Sequence, residues 1–165
     1  MNIKFVVGGL AVIGALYFGS DIYWQHQFEE ETRTNLKNFS MSQEMQDATR
    51  GLPIKADILN QYPNIFFYMT LTQDIPRESE ALVKSTLSAN SQKLACGYFS
   101  KIQSQDEKNK DKTKAIVNVI EEDKVTMTYI AKTRMGQVLL EYKQVLSECP
   151  EFNSLKQSVV FKYFI

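Results

Sequence analysis

Sixteen consecutive residues without a charge, Phe5 to Ser20 (FVVGGLAVIGALYFGS), constrain this chain more than any other stretch. A bilayer core of about 30 Å needs about 20 mostly apolar helical residues. Ile22, Tyr23 and Trp24 extend the run past a single Asp21, and Tyr17, Tyr23 and Trp24 put aromatic rings where a membrane–water interface favours them. Residues 5–24 therefore read as a transmembrane anchor. A cleaved signal peptide is the competing reading. Cleavage favours small residues at the first and third positions before the cut, and cuts after Ser20 or Gly19 put Phe18 or Tyr17 at the third. Lys4 precedes the run, whereas Asp21, Glu29, Glu30 and Glu31 follow it. Positive residues stay cytoplasmic. Residues 1–4 are thus expected as a cytoplasmic tip, and the C-terminal part in the periplasm of a bacterium, on a single pass through the inner membrane. Ala11, Ala15 and Gly19 recur every four residues. Such small-residue faces let helices approach closely in lipid, which marks these three as a membrane helix contact suited to a homodimer, although glycine and alanine are also common in spans.

The remainder is near the usual size of one domain. Lys plus Arg and Asp plus Glu number 19 each in 165 residues, so the basic excess expected of a nucleic-acid binder is missing. With 44% hydrophobic residues, 10 Phe and 8 Tyr, the chain can fill a core. Cys96 and Cys149 are the only cysteines. An even number in an oxidising compartment points to pairing; two buried thiols are the alternative.

After the anchor, residues 25–50 read as a helical stalk with Phe28, Leu36 and Phe39 as its apolar points. Ser40 and Gln43 match a capping box, and the short helix that follows should stop at Gly51 and Pro53. Residues 51–165 form the expected periplasmic domain. Asn64 to Thr72 reads as a strand with Ile65, Phe67, Met69 and Leu71 facing the core. Asp74-Ile75-Pro76 opens a helix whose stripe is Val83, Leu87, Leu94, Tyr98 and Ile102. Cys96 lies nearly opposite that stripe, so either the helix breaks near Ser88 to Ser91 or its far side is also covered. Gln103 to Lys114 is charged and reads as a mobile loop. Ala115 to Ile120 fits a helix turn or a strand. Lys124 to Thr133 and Gln137 to Leu146 read as a hairpin about Gly136, which takes positive φ cheaply. Ser158 to Phe164 reads as a last strand or extended arm. The expected class is α+β: a transmembrane helix and stalk, then a small antiparallel sheet packed on one long or broken helix.

Leu52-Pro53 followed by Asp57, an aromatic strand ending in Tyr68, Cys96, Thr128-Tyr129, Gly136, Leu139-Leu140 and a closing Cys149 form a pattern. It resembles a loose group of small, mostly uncharacterised exported bacterial proteins. These carry a leucine-proline-x-x-x-aspartate segment and two cysteines flanking a tyrosine-bearing hairpin. The likeness spans Leu52 to Cys149 and implies the fold and the disulfide, without an activity. The charged insert at Gln103 to Lys114 and the tail after Cys149 depart from the group.

The motifs of catalysis are absent: no G-x-S-x-G, H-E-x-x-H, Walker A or G-x-G-x-x-G occurs. His26 is the single histidine and reads as an interfacial residue beside Trp24. Glu121-Glu122-Asp123 lacks the spaced ligands and glycine of a calcium loop and reads as a solvated turn. No catalytic, cofactor or metal residue is assigned. The expected function is binding, as an accessory or assembly factor of a cell-envelope complex. Phe161, Tyr163 and Phe164 offer a partner surface, because an end strand can add to another protein's sheet; the alternative is that they complete the core. Two other functions fit: an immunity protein neutralising a toxin delivered to the periplasm, and an envelope hydrolase with dispersed carboxylates.

Overall fold

The computed structural model describes residues 24–105 and 110–160. The apolar run through Tyr23, with Ala11, Ala15 and Gly19, lies outside them, as do Phe161, Tyr163 and Phe164. Among the described residues no helix is long and apolar enough to cross a membrane.

The fold is α+β, a four-stranded sheet with helices. Helix α1 (24–37) leads to α2 (Gln43–Thr49), then strands β1 (Ile54–Gln61) and β2 (Asn64–Leu71). Two long helices follow, α3 (Glu80–Gln105) and α4 (Lys110–Glu122), then β3 (Thr126–Lys132), β4 (Val138–Val145) and α5 (Pro150–Val160). The strands lie in the order β1-β2-β3-β4. Both outer pairs are antiparallel hairpins, but β2 and β3 run parallel. The sheet is therefore mixed, not antiparallel as the strand pattern suggested. The reason is the connection: a parallel neighbour needs a long crossover, and α3 with α4 supplies it.

The sheet buries the face that its alternation selects. On β2 this holds for Ile65, which is fully buried, and Phe67, which stacks on Tyr129 at 4.8 Å between ring centroids, whereas on β3 Thr126 and Thr128 of the opposite face are buried as well. Phe39, two residues past α1, meets Phe67 at 6.0 Å. Gly136 turns β3 into β4 with φ +84°, as its position requires.

Three local expectations change, and for α3 the structure selects the unbroken alternative. Helix α2 is capped by Ser42, whose hydroxyl accepts from the Met45 amide at 3.2 Å, in place of Ser40. Helix α3 runs unbroken through Ser88 to Ser91. The charged segment at 103–114 contributes the end of α3 and the start of α4, because its Lys and Gln residues favour helix. Ala115 to Ile120 then continues α4. Ser158 to Val160 closes helix α5 and is not a strand. The helix begins at Pro150, directly after Cys149. Proline suits a first helical position, whose N–H has no intrahelical partner, and Glu151 in the same turn complements the helix dipole.

Candidate functional site

The C-terminal end of α1 is held by a strand. A helix leaves its last carbonyls without partners. Here the Asn60 side-chain amide, at the end of β1, donates to Leu36 O at 2.7 Å, Lys37 O at 3.0 Å and Phe39 O at 2.9 Å. Leu36 and Phe39 pack on the core beside this cap. The described part of the stalk is thus docked on the domain.

One turn earlier Arg33 reaches across to the end of α4. Its Nε donates to Asp123 Oδ2 at 3.0 Å, Nη2 to Glu122 Oε2 at 2.7 Å, and Nη1 to Glu30 Oε1 at 3.3 Å. The Tyr62 hydroxyl also donates to Asp123 Oδ2, and Lys37 Nζ sits 5.7 Å from the centre of the Tyr62 ring. Asp123 is aimed by the way α4 stops. Lys124 takes a left-handed φ of 51°, and the Val125 amide donates back to Ile120 O at 3.3 Å, a common helix-terminating loop. Burial, then the bond to Asp123, pushes the Tyr62 phenol well above its usual range. Burial lowers the Arg33 pKa, but its bond and charge pairing with Asp123 outweigh this and raise it. Glu121 meets Lys156 at 2.5 Å. The acidic trio expected as a solvated turn is therefore a set of fastenings: Glu121 to α5, Glu122 and Asp123 to α1.

Cys96 and Cys149 form the expected disulfide, with Cα atoms 5.4 Å apart, and are 2% and 0% exposed. It joins the middle of α3 to the residue before α5. Phe99 and Phe152, three residues on from each cysteine, meet edge to face at 5.2 Å.

Helix α3 differs most from expectation. Its buried arc passes through Ser91, Ala95, Cys96 and Phe99. Of the stripe read as core, Ile102 packs on the core and Val83 and Leu87 are half-buried, but Leu94 and Tyr98 turn to solvent, each 62% exposed. Apolar residues occupy more of this helix than the core covers. The Val83, Leu87, Leu94, Tyr98 spacing of 4, 7 and 4 keeps one side of a helix in line. Leu94 and Tyr98, one turn apart, are the exposed part of this line, and adjacent exposed apolar side chains mark an interaction surface more often than a scattered residue does.

Of the residues singled out from sequence, the structure brings together Cys96 and Cys149; the membrane-contact and tail residues lie outside the described part. Sequence reasoning missed Arg33, Asn60, Tyr62 and Asp123. Arg33 and Asp123 are 90 positions apart, and the one local signal was a lone arginine after three glutamates. Among the described residues no group of three or more His, Cys, Asp or Glu is arranged to hold a metal ion. No family model, no curated protein and no solved structure matches the chain.

Proposed function

We propose that the chain is a membrane-anchored periplasmic binding protein, an accessory or assembly factor of a cell-envelope complex, fixed by a single-pass helix over residues 5–24. It acts by binding and not by catalysis. The observation that carries this reading is the apolar line on α3, whose exposed members are Leu94 and Tyr98. The partner is an envelope protein presenting an amphipathic helix, because an apolar line at helical spacing is matched by another helix laid along it. The buried disulfide supports an oxidising compartment. Ala11, Ala15 and Gly19 add a contact within the bilayer, and Phe161, Tyr163 and Phe164 a second one near the chain end.

Co-purification of the tagged full-length chain from native membranes in mild detergent, with quantitative mass spectrometry, tests this. One envelope protein should appear in stoichiometric amount with the wild type and be lost from a Leu94→Glu, Tyr98→Glu variant of unchanged Tm. A partner retained by that variant, or none with either chain, overturns the assignment. A secreted effector captured only while its delivery system is active would replace it with the immunity function.

A further inference from the structure

Helices α1 and α4 lie side by side and run the same way. Three contacts fix this. Lys112 Nζ stands 5.6 Å from the centre of the Phe28 ring. Asn118 Nδ2 donates to Glu29 Oε1 at 2.8 Å. Arg33 pairs with Glu122 and Asp123. As numbering rises from 28 to 33 on α1, it rises from 112 to 123 on α4. Trp24 and Phe28 of α1 and the first turn of α4 therefore share one end of the domain, and Tyr62 and Asp123 lie at the other.

The chain itself says what faces that end. Trp24 is four residues past Ser20, the last residue of the apolar run, so no more than about 14 Å of chain separates them. Trp24 is half exposed and its ring lies 6.5 Å from that of Phe28. The ring pair, with Lys112 over Phe28 and the exposed Lys110 at the start of α4, combines the groups that settle at a bilayer surface. Amphipathic aromatics sit at headgroup level, and lysines lay their stems on apolar surface while the ammonium stays in the polar layer.

Resting on the anchor reading above, we infer that the end of the domain formed by Trp24, Phe28, Lys110 and Lys112 seats on the bilayer surface, with the two ammonium groups on phospholipid phosphates. The acids at this end decide how. Glu29 is engaged by Gln25 and Asn118, and Glu30 by Arg33, whereas Asp111 and Glu31 are exposed. Lys110 and Lys112 are offset by Asp111 and Glu31. The contact is therefore a local one to phosphate, which zwitterionic and anionic lipids share, and not attraction to a charged membrane.

The test uses the full-length chain in nanodiscs. Cys96 and Cys149 are paired, so an introduced cysteine is the one free thiol, and Trp24 is the only tryptophan. A singly anionic fluorophore, which restores the charge lost with Asp111, on Asp111→Cys is compared with the same label on Gln61→Cys, beside Tyr62 at the far end. With headgroup-nitroxide lipid, quenching at 111 should exceed that at 61 several-fold, in zwitterionic and in mixed anionic discs alike. Lys110→Glu with Lys112→Glu should cut it at least twofold while leaving Trp24 quenching by brominated lipid unchanged. Equal, weak quenching at 111 and 61 with Trp24 still quenched overturns the seat and leaves the anchor standing. Quenching at 111 only in anionic discs overturns the phosphate contact. Loss of Trp24 quenching, with the chain stripped from membranes by carbonate, overturns both.

Discussion

Helices α3 and α5 meet along a dry seam: Cys96 bonded to Cys149, Phe99 against Phe152, and Leu155 fully buried. Helix α1 reaches the same domain along a wet one. There Asn60 gathers three carbonyls, Arg33 divides its guanidinium among Glu30, Glu122 and Asp123, and Tyr62 shares Asp123. Apolar burial is non-directional and scales with area, so the dry seam supplies stability and tolerates a choice of partner atoms. Hydrogen bonds to fixed acceptors contribute less net free energy each but permit one geometry. The wet seam thus fixes the direction of α1 relative to the domain, and the dry seam keeps the domain folded while it does so. Leu94 and Tyr98, left over from the dry seam, face outward.

Breaking the dry seam should have the largest effect. Phe152→Ala removes a fully buried ring and should cost about 4 kcal/mol or more, read as a lower denaturation midpoint for the whole domain. Replacing Cys96 and Cys149 by serine opens a loop with a sequence separation of 53. It should cost about 4 kcal/mol in the chain-entropy model. Free thiols titrated in protein taken from an oxidising envelope would contradict the pairing itself.

Alkali should loosen the core next. Burial, then the neighbouring Tyr142, pushes the Tyr129 phenol up to about 12. The folded state therefore holds the proton more tightly than the unfolded chain, whose tyrosines titrate near about 10. The stabilisation is fully present below about pH 10 and is lost as pH rises to about 12, amounting to about 2 kcal/mol at the end of that window. Tyr62 shifts in the same direction. A Tyr129→Phe variant should flatten the decline in stability between pH 10 and 12; an unchanged decline would exclude Tyr129 as its source.

The wet seam should give way locally. Asn60→Ala removes the side-chain donor from the carbonyls of Leu36, Lys37 and Phe39, of which Leu36 O keeps the Phe39 amide, and should cost about 1–2 kcal/mol. Amide exchange should accelerate over 24–37 and stay slow over α3 and α5. Uniform acceleration would mean that the two seams are one cooperative unit. The smallest change is expected on the stripe: Leu94→Gln should alter stability by less than about 0.5 kcal/mol, since the side chain already faces water.

These two seams also differ in how far the sequence discloses them. The disulfide follows from two cysteines and an apolar leader, and the β3–β4 hairpin from alternation about Gly136. Helix α3 was recognisable as a helix, but its inward face was not. Val83, Leu87, Leu94 and Tyr98 form a better stripe than Ser91, Ala95, Cys96 and Phe99, and packing against α5 and the β3–β4 side of the sheet chooses the second. Helix α4 was obscured by Ala115, Val117 and Val119, which alternate like a strand, and α5 by the same pattern in Ser158 to Phe164. The Arg33–Asp123–Tyr62 cluster has no sequence period at all, because it joins three segments brought together by the finished fold.

The most direct measurement for the binding function is site-specific photocrosslinking in native membranes. A benzophenone amino acid replaces Tyr98 on the stripe or, as a control, Val138, which is half exposed on the edge strand β4. The expected result is one adduct with one envelope protein from position 98, none from 138, and loss of the adduct when Leu94→Glu is added. No adduct from position 98, or the same adduct from both positions, would contradict the stripe as the partner surface.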